Sequence, residues 1–158
     1  MGICGHCAPR PNSWTRSRAE RVARLTVHPD DLDALGLLHN ARYPAPAERA
    51  RTALWAERGL VFEGAGVAAG DFRDAVEERR IMYDAPVNPP GAYAVYLRPD
   101  RLGTTGLTYG FCFCSADGGT AYARGARVLV RLDPATLRPA PWSEMFRTPG
   151  RELLRTRD

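Results

Sequence analysis

A chain of 158 residues, 44% of them hydrophobic, is long enough to bury one ordinary core without disulfides or metal. No apolar run approaches the roughly 20 residues that cross a bilayer, so a membrane role is not expected. The formal net charge is +4, yet all 22 basic residues are arginines interleaved with 18 acids, without a dense cluster or a nucleic-acid motif, which argues against a phosphate-tracking stripe.

The first twenty residues read as a loose arm. They contain Cys4-Gly5-His6-Cys7, the spacing of a redox dithiol. That chemistry needs a strand leading into a helix whose N-terminus acidifies the first thiol, and neither precedes or follows the pair. With no apolar secretory segment at the start, the expectation is a cytoplasmic protein with four reduced thiols.

RVARLTV, residues 21 to 27, is apolar and β-branched enough for a strand that ends before Pro29. The loop DLDALGLLHN follows. From about Ala45, Ala47, Ala50 and Leu54 recur at helical spacing up to Gly59, a C-cap residue, and Pro44 and Pro46 fit only in the first turn. Residues 61 to 73 are a glycine- and alanine-rich connection with room for one helical turn.

Four strands come next, at 76 to 84, 92 to 99, 105 to 115 and 120 to 132, with a tight-turn DGG before the last. Leu107, Tyr109, Phe111 and Phe113 alternate onto one face, where the aromatics are core residues or, as the alternative, line an aromatic or long-chain pocket, and Cys112 and Cys114 fall on the opposite face as small packing residues rather than metal ligands. One helix on an antiparallel sheet is an α+β pattern. The domain is expected over 21 to 142. Residues 143 to 158 read as a proline-rich tail ending in a frayed helical turn.

Reactive side chains concentrate in the loop before the helix: Asp30, Asp31, Asp33, His39 and Asn40, with Tyr43 beyond. Asp30 and Asp31 suit caps and helix-dipole partners. Asp33 suits a turn-making role or a catalytic one. A loop folding back over the helix start would aim its carboxylate and unpaired N–H groups at one point, an arrangement fit for a carbonyl substrate. His39 is a candidate base or a locally bonded loop histidine.

The stretch D-L-D-A-L-G-L-L-H-N-A-R-Y, residues 31 to 43, resembles the signature loop of the 4-hydroxybenzoyl-CoA thioesterase-like family, typically D-x-D-x-x-G followed by H-V-N-N or V-V-Y-H and a tyrosine. ERARTALWAERGL, RIMYDAPVNPPGAY, SADGGTAYARGARVLV and LDPATLRPAP resemble successive family segments, so the likeness covers roughly residues 21 to 142. Leu37 departs from it where one branch carries histidine, Pro44 and Pro46 stand where the family has helix, and the arm has no counterpart.

The resemblance implies a hotdog fold, a curved antiparallel sheet wrapped around one long helix, assembled as a homodimer or homotetramer with sites at subunit interfaces. It implies hydrolysis of an acyl thioester of CoA or acyl carrier protein without metal or cofactor. Asp33 would be nucleophile or general base, the backbone N–H of Asn40 the oxyanion donor, and His39 and Tyr43 substrate contacts, with Arg138 near the CoA phosphates. The alternative is a non-catalytic acyl-binding or scaffold protein of the same fold. A hydratase ranks third, with His39 the one candidate partner for an acid.

Overall fold

The computed structural model describes residues 21–60 and 71–155. Five strands form one antiparallel sheet: β1 (Arg21–Val27), β2 (Asp74–Tyr83), β3 (Gly91–Leu102), β4 (Gly106–Ser115) and β5 (Ala121–Arg131), in the spatial order β1-β3-β4-β5-β2. Strands β3, β4 and β5 are a meander. The strands nearest to helix α1 (Pro44–Ala56) in sequence, β1 and β2, become the two edges.

Alternation sorts the side chains onto two faces. Tyr93, Val95 and Leu97 of β3 join Leu107, Tyr109, Phe111 and Phe113 of β4 beneath α1, which contributes Ala47, Ala50, Leu54 and Trp55, all buried. Trp55 is fully buried and its Nε1 donates to the Tyr109 hydroxyl, so the one polar atom that each ring brings inside is satisfied by the other. Two turns follow as expected: α1 closes at Gly59, whose φ of +75° an L side chain would resist, and β4 returns to β5 through Asp117-Gly118-Gly119.

The opposite face carries a smaller cluster of Ala94, Tyr96, Cys112 and Cys114. Both cysteines are buried free thiols, in keeping with packing residues. Cys4 and Cys7 lie outside the described residues.

Two elements differ from expectation. Strand β3 runs on to Leu102, because a register shift between Pro99 and Arg101 lets the sheet accept a proline that cannot donate to the ladder. The expected frayed turn is a twelve-residue helix, α2 (Glu144–Arg155). Ser143 caps it by accepting from the Phe146 N–H, and is itself held by fully buried Asp71, which accepts from the Ser143 N–H and hydroxyl and pairs with Arg131. Phe146 stacks between Trp55 and Trp142, at 4.2 and 4.5 Å between ring centroids. At Gly150 a Cβ would stand 2.7 Å from Leu102 Cδ2, so glycine is what lets the helix settle this close to β3.

Candidate active site

The loop between β1 and α1 folds on itself through Asp33. Its N–H donates to the Leu37 carbonyl at 2.7 Å, and its Oδ1 accepts from Leu35 N–H at 2.8 Å and Leu37 N–H at 3.1 Å. The expected turn-making role is therefore real. It occupies only one carboxylate oxygen. Oδ2 has no hydrogen-bond partner among the described residues, while the half-buried side chain lines an open cleft of about 510 Å³.

Beyond this turn the chain makes a 3-10 turn at Asn40–Arg42 before α1 begins. His39 caps it, its Nδ1 accepting from Ala41 N–H at 3.2 Å, and Arg42 N–H donates to the His39 carbonyl. The neutral imidazole then carries its proton on Nε2. His39 N–H donates to the Asp31 carbonyl and Leu38 N–H to the Val87 carbonyl. The Asn40 N–H is passed over by this network and has no acceptor among the described residues. An unpaired amide on the same cleft as an uncommitted carboxylate oxygen is the pair of functions that a carbonyl substrate requires.

That amide belongs to the residue expected to supply it, set ahead of α1 rather than inside it. Pro44 and Pro46 hold the first and third positions of α1 and carry no N–H, so the donor comes from the 3-10 turn ahead of the helix.

Tyr43 is buried, packed edge-on to Tyr83 at 5.2 Å and against Phe113 at 5.1 Å. Its hydroxyl is pushed up to about 12, first by burial, then by Tyr83 and Tyr93 and lastly by the Asp33 charge. It remains a neutral phenol that can donate. Asp33, His39, Asn40 and Tyr43 all line the cleft.

Arg138 is not brought there within one chain. It follows the end of β5 that pairs with Asp74, while the cleft lies at the other end of β2, about 30 Å away at 3.3 Å per strand residue.

The far wall, Tyr83 to Val87, was not singled out in the sequence. Within it Asp84 makes a two-pronged ion pair with Arg124, Oδ2 to Nε and Oδ1 to NH2, both at 2.7 Å, and this hydrogen bonding holds its carboxyl below the usual range. The Leu38–Val87 hydrogen bond ties the two walls together. RIMYDAPVNPPGAY carried the family likeness, but only the fold sets it beside Asp33.

A profile of the thioesterase-like superfamily matches residues 27–149. A thioesterase of Thermus thermophilus, solved with coenzyme A and zinc, is 27% identical over 85% of this chain and 94% of its own, with a TM-score of 0.69. A Pseudomonas aeruginosa protein is 25% identical over 84% and 90%, at a TM-score of 0.68. The 1,4-dihydroxy-2-naphthoyl-CoA thioesterase of Synechocystis shares the fold, with a TM-score of 0.74 over 85% and 97%, at 16% identity. No characterised protein matches in a search by sequence. The chain belongs to the thioesterase-like superfamily, and its helix wrapped by a curved antiparallel sheet is the hotdog fold.

Proposed function

We propose that this protein hydrolyses an acyl-CoA thioester to the free acid and CoA, with Asp33 and the Asn40 N–H as its machinery. The observation that carries the reading is the split role of Asp33: one oxygen is anchored by two amides, which orients the other toward a cleft that also holds a free N–H. A carboxylate is a weak nucleophile and a weak base, so fixed orientation is what makes it useful.

In the reaction Asp33 either deprotonates water for attack on the carbonyl, or attacks it directly to form a mixed anhydride that water then hydrolyses to the free acid and the regenerated carboxylate. The carbonyl oxygen gains negative charge facing the Asn40 N–H, the C–S bond breaks, and the thiolate leaves as CoA once it takes a proton. His39, through Nε2–H, and the Tyr43 hydroxyl are donors placed to orient substrate. Coenzyme A as the carrier is supported by the Thermus relative that binds it.

The active form is a homodimer paired along the free edge of β2, where Val76, Met82 and Tyr83 are 42%, 39% and 54% exposed. Tyr83 also lines the cleft, so a second copy on this edge would close it. Arg138 reaches CoA phosphates only from that second copy.

The test is thiol release from a panel of acyl-CoAs by wild type and Asp33→Asn. Turnover in wild type with loss in the variant supports the reading, while binding without turnover in wild type would leave a scaffold protein. A single turnover in heavy-oxygen water separates the two roles of Asp33. Label appears in its carboxylate only if it is the nucleophile.

A further inference from the structure

Sites that attack a carbonyl commonly meet the developing negative oxygen with a pair of donors, and the Asn40 N–H is one. The amides that follow it cannot be the second. Ala41 N–H donates to the His39 Nδ1, Arg42 N–H donates to the His39 carbonyl, and Pro44 has no N–H. The donor must then come from a side chain on the cleft. His39, Asn40 and Tyr83 are exposed there, and Tyr43 is buried, only 4% of it accessible.

Buried phenols ordinarily find a hydrogen-bond partner. Tyr93 and Tyr109, the buried tyrosines of the same core cluster, do so: Tyr93 donates to the Pro89 carbonyl and Tyr109 accepts from Trp55. The Tyr43 hydroxyl has none among the described residues, although Tyr83 and Phe113 hold its ring from two sides. Its place in the chain aims it at Asn40. Tyr43 follows Asn40 by three residues and closes the 3-10 turn with helical backbone, φ −60° and ψ −34°. At three residues per turn such side chains share one face, and helical side chains lean toward the N-terminus, so the ring runs back along the turn. Three residues rise about 6 Å, a span that a tyrosine side chain covers. The Asp33 charge acts on this hydroxyl, as expected of groups that face one cleft.

We infer that Tyr43 is a catalytic residue, its hydroxyl donating to the thioester carbonyl oxygen beside the Asn40 N–H so that two donors hold the oxyanion. This rests on the thioester reading above and deepens it, moving Tyr43 from general substrate contact to the reacting atom. As water or Asp33 adds to the carbonyl carbon, the C=O electron pair moves onto the oxygen between the two donors. It returns to re-form C=O as the C–S bond breaks and the thiolate departs. The phenol keeps its proton throughout and acts only as a donor, since burial holds it neutral. A ring packed in place before substrate arrives needs no reordering in the reaction, unlike the exposed side chains of His39 and Tyr83.

Tyr43→Phe keeps the ring against Tyr83 and Phe113 and removes one oxygen that makes no hydrogen bond among the described residues, so its melting temperature should match wild type. With acyl-CoA its kcat should fall about a hundredfold while KM stays within about threefold, the pattern of an interaction made only in the transition state. Unchanged kcat, or a rise in KM alone, overturns the inference. So does a variant that melts well below wild type, because the hydroxyl would then be structural. Two ligands read the site without turnover: S-trifluoroacetonyl-CoA, whose hydrated ketone presents a tetrahedral carbon bearing oxygen, and S-propyl-CoA, with the same carbon count and no oxygen. By calorimetry wild type should bind the first more tightly, and Tyr43→Phe should lose about tenfold of that margin. If wild type turned over no acyl-CoA, the hydrolase reading would fall and this margin would decide alone. Lost in the variant, it sustains the two-donor site; absent from wild type or kept in the variant, it sinks that as well.

Discussion

Replacing Asp33 by asparagine tests chemistry against architecture, because the two uses of this side chain sit on different oxygens. Asparagine keeps a carbonyl oxygen where Oδ1 accepts from the Leu35 and Leu37 amides, so both hydrogen bonds survive as neutral ones. A hydrogen bond to a charged group contributes about 1.5–3 kcal/mol and a neutral one about 0.5–1.5, a difference of about 1 kcal/mol for each amide. Solvent screening at this half-buried turn brings the total to about 1–2 kcal/mol, or a fall of about 2–8 °C in melting temperature for a domain of this size. Such a protein stays folded at 25 °C. The lost general base or nucleophile should still lower kcat by about a hundredfold to ten-thousandfold, equivalent to about 3–5.5 kcal/mol of barrier. Alanine, which leaves both amides without an acceptor, should be equally inactive and less stable than asparagine. Thiol release followed with a thiol-reactive dye, beside thermal melts of all three proteins, measures both quantities. An asparagine variant with wild-type kcat would refute the reasoning outright. So would a loss of activity that tracked the loss of folded protein.

Asp71→Ala removes the acceptor of the Ser143 N–H and hydroxyl and the partner of Arg131 at a fully buried position, and should cost about 3 kcal/mol in urea unfolding, with α2 released first in hydrogen exchange. Asp84 has a folded pKa held below its unfolded value of about 4, so its pair with Arg124 adds stability above that pH and loses it as pH falls through the lower folded value. Arg124→Gln should therefore be less stable than wild type at about pH 7, and the gap should narrow as the pH falls below about 4, in melts across that range. Lysine at both Val76 and Met82 should turn a dimeric sedimentation profile monomeric, because like charges would then face each other along the β2 edge, and should lower kcat with it.

The sheet was legible because its strands announce themselves locally. Leu107 to Phe113 alternate strictly, and Asp117-Gly118-Gly119 admits few geometries besides a tight return. The candidate loop stood out by its reactive types and its likeness to a family signature. Helix α2 went unread although Phe146, Gly150 and Leu153 repeat at i, i+4 and i+7 after a capping serine, because Pro149 inside the run and the prolines before it pointed to a loop. The wall from Tyr83 to Val87 could not be found by any local signal. It faces Asp33 through one hydrogen bond between Leu38 and Val87, a pairing 49 residues apart that exists only once β2 has closed against β5.

The two prolines that open α1 have a consequence for selectivity between anions. A first turn ordinarily offers a ring of free donors, a generic seat on which phosphate, sulfate or any carboxylate could settle and compete. Here two of its three leading positions are mute, and the electropositive end of the helix is left with its field but few hands. With so few donors left there, this chain should tolerate inorganic anions at concentrations that would crowd a site built on an intact helical start.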